Sequence, residues 1–176
     1  MKESVIKENI IVLFLGVFFS AILMILSNKF LNGMAVKFLG ICAISYLMAF
    51  LVGKTVLLTY LLLSSAILIF LNGYKLESSI DYLPFVIEAF VGSYLISFIK
   101  NIFYNNELLS SFFAVIIGRI SFFTTGFILY DVILKKGIFN EFLISHLSNE
   151  VVGMIFCVIF VPFICYSIKK NTIMWN

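Results

Sequence analysis

Six apolar stretches, each close to the length of a bilayer crossing, follow one another along the chain with only short polar breaks between them. A helix needs roughly 20 mostly apolar residues to cross the hydrocarbon core, where the backbone must satisfy its own hydrogen bonds. The stretches at residues 9–28, 34–52, 55–72, 82–100, 108–132 and 148–168 are therefore expected to be transmembrane helices. Composition agrees: 62% of the 176 residues are apolar and 12% charged, about half the charge that covers a soluble domain. The expected fold is an all-α integral membrane protein, one compact bundle of six transmembrane helices over residues 1–176.

The breaks carry helix-ending chemistry. Ser27-Asn28-Lys29 ends the first stretch, and Asn72-Gly73-Tyr74-Lys75 ends the third. Gly53-Lys54 divides the second from the third so tightly that an antiparallel hairpin is expected. The polar run KLESSID, 75–81, reads as a loop, with Ser79 or Asp81 capping the fourth helix and Pro84 in its first turn. KNIFYNNE, 100–107, is the next loop. After the fifth helix come Lys135-Lys136-Gly137 and a partly amphipathic stretch to His146. Ser148 or Asn149 is expected to cap the sixth helix, with Glu150 in its first turn, facing the positive dipole end, and Pro162 bending it. The run Ile10 to Ser27 is longer than a secretory signal core and lacks a small-residue cleavage site, so it reads as a retained helix.

Charge and cysteine usage narrow the function. A net charge of +3, spread along the chain, points to no nucleic-acid partner. Cys42, Cys157 and Cys165 lie inside apolar segments without paired spacing and read as packing residues, neither a disulfide framework nor a metal site. His146, the single histidine, reads as a solvated interfacial loop residue, and no cofactor is expected. Thr124 and Thr125 are expected to bond back to their own helix, and Trp175 to anchor at an interface. With a cytoplasmic N-terminus, Lys2, Lys7, Lys54, Lys100, Lys169 and Lys170 lie inside and Lys29, Lys37, Lys75, Lys135 and Lys136 outside. That small bias leans to both termini in the cytoplasm and to a multi-pass protein of the cell membrane. Zinc-protease, nucleophile-elbow and phosphate-loop patterns are all missing, so the chain is expected not to be an enzyme.

Two ionisable residues sit deep within predicted spans: Glu88, in YLPFVIEAFVGSYL, and Arg119, the only arginine, in AVIIGRISFFTTG. Charges at such depth are costly and face a protein interior or a wet cavity. The two segments are joined by a short loop and so are expected to be antiparallel neighbours. At 1.5 Å per residue, Glu88 lies roughly 9 Å and Arg119 roughly 18 Å below the same face, within reach of a long arginine side chain. Glu88 is thus the expected partner of Arg119, either as a structural clasp or as part of a solute pocket. Tyr130 and Asp131 end the fifth segment, Asn149 and Glu150 begin the sixth, and Asp81 begins the fourth. Together they suggest a polar mouth above Glu88. In the first helix, Gly16 and Ser20 form a small-xxx-small face suited to an internal neighbour or a separate membrane partner. Gly92, Ser93 and Ser97 offer a similar close-packing surface on the fourth.

This layout resembles the substrate-binding S components of energy-coupling factor (ECF) vitamin transporters. YLPFVIEAFVGSYL resembles their proline-led fourth helix, IIGRISFFTTGFIL their Gly-Arg fifth helix, and NEVVGMIFCVIFVPFI their last helix. The resemblance implies a subunit that captures a vitamin-like micronutrient from outside, in a pocket of helices four to six closed by the loop after helix one, about residues 28–33. It implies delivery by toppling in the membrane on a transmembrane coupling subunit driven by two ATPase subunits, which hydrolyse the ATP. The family's Ala-xxx-Ala docking face on helix one corresponds to Gly16 and Ser20. The candidate substrate-binding residues are then Glu88, Arg119, Tyr130, Asp131, Asn149 and Glu150. Rod-shape membrane scaffolds of wall-synthesis complexes share the length and the span number, and form the alternative class.

Overall fold

The computed structural model describes residues 2–30, 39–71, 76–103 and 106–173. Among the described residues the chain is helical, without strands. Helix α1 runs Lys2–Phe30. A π-helical turn, Leu39–Ala43, leads into the short α2, Ile44–Leu51. Then come α3, Lys54–Leu71, and α4, Leu76–Ile99. Helix α5, Glu107–Phe127, continues into a π-helical segment, Ile128–Ile133, and α6 spans Phe139–Ile173.

Among the described residues, three segments are long and apolar enough to cross a membrane: Tyr82–Ile99, Glu107–Ile133 and Glu150–Lys170. The apolar parts of the first three helices, Asn9–Leu23, Ile41–Leu51 and Lys54–Phe70, are shorter. The distribution of polarity is that of a membrane protein. Phe14, Phe18, Leu62, Phe70, Phe98, Ile120, Val152 and Phe163 are exposed, whereas Ser20, Ser45, Ser64, Ser93, Ser97, Ser110, Ser111, Glu88, Arg119 and Glu150 are buried. Water would drive the opposite arrangement; lipid allows it, because apolar side chains lose nothing facing acyl chains.

Helix α4 packs most extensively on α5, α5 on α6, and the short α2 fills the centre between α1, α4 and α6. Its inner residues Tyr46 and Ala49, with Cys42 of the preceding π-helical turn, have no exposed surface. Small residues of both helices are buried, Gly92, Ser93 and Ser97 on α4 and Ser110, Ser111, Ala114 and Gly118 on α5, and Gly118 lets the Glu88 side chain and backbone of α4 come close. Hydroxyls elsewhere bond to their own helix. Thr124 Oγ1 donates to the Ile120 carbonyl at 2.8 Å and Thr125 Oγ1 to that of Ser121 at 2.7 Å, as expected.

Two helix starts differ from expectation. Helix α4 begins at Leu76, so most of KLESSID is helical and Pro84 lies in the interior, not the first turn. Polar residues alone do not stop a helix, and no breaker stands between Leu76 and Pro84. Helix α6 begins at Phe139, not at Ser148 or Asn149, and Glu150 lies well past the first turn. Its cap comes from another element: Asp131 Oδ1 accepts from the Phe139 N–H at 3.2 Å. At 35 residues, α6 is about 52 Å long, so its first third extends beyond a hydrocarbon core of about 30 Å. The break at Gly53-Lys54 is present as expected, between α2 and α3.

The start of α3 and the C-terminal ends of α4 and α6 gather lysines at one end of the molecule. Lys169 Nζ lies 2.8 Å from Glu107 Oε1, Lys100 Nζ donates to the Ala49 carbonyl at 3.0 Å, and Lys54 lies 5.8 Å from the Phe98 ring centre. Burial, then the neighbouring Lys169 ammonium, pushes the Lys100 ammonium below its usual range. The opposite end carries the turn after the π-helical segment, where Lys135 and Gly137 adopt positive φ, 52° and 64°.

Candidate functional site

The buried charges converge from three helices. Glu88 stands on α4, Arg119 on α5 and Glu150 on α6, and the side chains are 0%, 8% and 0% exposed. Arg119 Nε lies 3.2 Å from Glu88 Oε1, and Arg119 Nη1 donates to Glu150 Oε2. The expected Glu88 pairing is present. The unbroken α6 adds the second carboxylate by carrying Glu150 into the interior. The guanidinium suits this task, since its fork of donors engages two carboxylates at once.

An aromatic cluster covers the triad. The Arg119 guanidinium lies 4.6 Å from the Phe122 ring centre. Phe122 stacks on Phe142 at 5.2 Å and meets Phe85 edge-on at 4.7 Å. The His146 ring lies 4.2 Å from Phe142 and 5.3 Å from Phe122. His146 is therefore no solvated loop residue: it sits on α6, largely buried, one turn before Glu150. Its Nε2 is 3.9 Å from Glu150 Oε1. Its Nδ1 lies 2.7 Å from the Phe142 carbonyl; a carbonyl only accepts, so Nδ1 carries the proton and Nε2 faces the carboxylate.

Beneath the triad, Tyr46 of α2 inserts between α4 and α5, where Gly92 and Gly118 leave room for it. A Cβ at Gly118 would stand 2.7 Å from Tyr46 Oη and 3.3 Å from Glu88 Cγ. Tyr46 is wholly buried, and among the described residues its hydroxyl and Glu88 Oε2 have no hydrogen-bond partner. Only a faint sign of this arrangement was legible beforehand: Gly92 follows Glu88 by one helical turn, and Gly118 directly precedes Arg119.

The remaining candidates fall elsewhere. Tyr130 is buried against Phe142, 5.1 Å between ring centres, so it joins the aromatic cluster. Asp131 is engaged as the α6 cap. The side chains of Asp81 and Asn149, most of the loop at 28–33 and Trp175 lie outside the described residues. Gly16 and Ser20 face inward. A Cβ at Gly16 would stand 2.9 Å from Met48 Sδ, and Ser20 Oγ is 2.6 Å from Tyr60 Oη. Cys42, Cys157 and Cys165 are free and buried, and among the described residues no cluster of metal-binding side chains occurs. Comparison of the chain with protein-family models, with curated proteins and with solved structures finds no match.

Proposed function

We propose that this chain is a membrane-embedded solute-binding subunit, of the kind that captures a micronutrient outside the cell for an ATP-driven ECF transporter. In this reading all six helices cross the cell membrane, both termini face the cytoplasm, and ATP is hydrolysed by partners. The observation that carries it is the Glu88–Arg119–Glu150 triad. A membrane protein gains little by sinking three charges into its interior, because an apolar cluster of the same volume packs as well without the desolvation penalty. Groups retained at that cost on helices four to six, beneath an aromatic cover and near one end, suit recognition of a polar solute.

One observation favours the scaffold alternative: Arg119 already holds both carboxylates, as a structural clasp would. Affinity purification from the native host in mild detergent separates the two. Recovery of two ATPase subunits and a multi-span coupling protein is the expected result. Recovery of wall-synthesis and cell-shape proteins instead would replace the transport reading with the scaffold.

A further inference from the structure

We propose that the outer face of α5 and α6 holds one anionic phospholipid, with its phosphate against Lys169 and Lys170 and an acyl chain in the groove between the two helices. Two adjoining hollows make the groove. They have volumes of about 440 and 290 Å³, apolar walls, and Ile159 in common. Leu108, Pro162 and Phe163 line the part nearer the lysine end; Phe112, Ile116 and Ile155 line the deeper part. Phe112, Ile155, Ile159 and Phe163 are exposed, and all lie in segments long and apolar enough to cross a membrane.

Helical register puts two lysines above this groove. Residues seven apart stand two turns apart on one helix face. Lys169 therefore follows Pro162 and Lys170 follows Phe163, with the exposed Tyr166 between them. From Ile155 to Tyr166 the helix rises about 16 Å, close to one leaflet of a hydrocarbon core about 30 Å thick. Going outward, this face of α6 is aliphatic, then aromatic, then cationic. A phospholipid presents the matching order of acyl chain, ester region and phosphate, and tyrosine favours the headgroup level.

Charge selects the lipid class. Glu107 Oε1, 2.8 Å from Lys169 Nζ, ties the ammonium to the head of the groove. Lys169 Nζ also lies 5.9 Å from the Phe50 ring centre, next to Ala49, whose carbonyl accepts from Lys100. Among the described residues, Glu107 is the one carboxylate at this end, against Lys54, Lys100, Lys169 and Lys170. The groove alone cannot discriminate, since an acyl chain leaves equally apolar surroundings to enter it. Lysines can: each strengthens attachment to an anionic membrane surface about fivefold. A zwitterionic lipid would bring a cation of its own beside Lys170.

The full chain, stripped of lipid in detergent, is given equal amounts of phosphatidylglycerol and phosphatidylethanolamine with identical acyl chains, and native mass spectrometry reads what is retained. One phosphatidylglycerol per chain is expected, at least about fivefold over phosphatidylethanolamine. Lys169→Gln combined with Lys170→Gln should abolish the preference, while glutamine still donates to Glu107 and keeps α5 tied to α6. Ile159→Trp fills the groove and should lower retention at least about threefold, because the chain loses its packing contacts. Ala66→Trp, at a separate hollow on α3, should change nothing. Equal retention of the two lipids, or none of either, overturns the site. A preference that survives the lysine replacements places the lipid elsewhere and overturns it too. Full retention in Ile159→Trp leaves a headgroup contact without a seated chain, which also overturns the site. A dimer that Ile159→Trp dissociates gives the face to a second copy and has the same consequence. Should Ile159→Trp fail to fold, Phe163→Ala removes an exposed wall of the same groove and reads the same loss.

Discussion

Arg119→Lys keeps a positive charge but loses the planar fork that reaches Glu88 and Glu150 together. Arg119→Leu leaves two buried carboxylates facing each other, and losing the partner of a buried charge costs about 3–5 kcal/mol. Thermal unfolding in detergent should rank the parent above Arg119→Lys and Arg119→Leu last; equal midpoints would mean that the triad adds nothing to stability. The two glycines beside Tyr46 allow a finer test. At Gly118 a methyl group would meet the Tyr46 oxygen at 2.7 Å, whereas at Gly92 it would also meet ring carbons, at 2.5 and 2.6 Å. Both alanine substitutions are expected to destabilise by about 1–3 kcal/mol through overpacking. Tyr46→Phe, which removes only the hydroxyl, should relieve Gly118→Ala and leave Gly92→Ala unrelieved. A double-mutant cycle on unfolding midpoints reads this directly.

At the scale of the element, α6 depends on a residue outside itself. Asp131, within the π-helical segment, accepts from the Phe139 N–H and fixes where α6 starts. Asp131→Ala should cost about 0.5–2 kcal/mol, the usual range for a lost cap. Faster amide exchange in the first turn of α6, with the interior of α5 unchanged, is the expected signature. The same dependence explains why the start of α6 was not legible in the sequence. Ser148-Asn149-Glu150 has the composition of a helix start, yet the true cap is eight residues before Phe139 and is brought there by the turn at Lys135 to Gly137. Helix α1 makes a similar point. Its small face was legible at Gly16 and Ser20, but the neighbours filling it, Met48 and Tyr60, were not.

For the whole molecule, lysines mark both ends. Lys54, Lys100 and Lys169 mark one end, and Lys135 and Lys136 follow the π-helical segment at the other. With the proposed orientation, Lys136→Cys in intact cells should react with a membrane-impermeant maleimide, and Lys54→Cys only after permeabilisation. The reverse pattern would invert the protein in the membrane and move the proposed solute site to the cytoplasmic side. Cys42, Cys157 and Cys165 are buried, so the parent chain should stay unlabelled and supply its own background.

That the chain is helical and membrane-embedded was legible in its residues, because hydropathy over about 20 residues is a local property and lipid leaves a helix as the backbone's own solution. The pairing of Arg119 with Glu88 was legible too, since consecutive helices joined by a short loop are antiparallel neighbours and a long arginine side chain spans the difference in depth. The tertiary structure alone decided that Glu150 is the second partner, 31 positions away in the chain, that Asp131 is a cap, that His146 is enclosed by phenylalanine rings, and that Tyr46 reaches between two glycines. Each of these depends on helix rotation and on where α6 begins. Both are set by packing between distant segments, which no window of sequence contains.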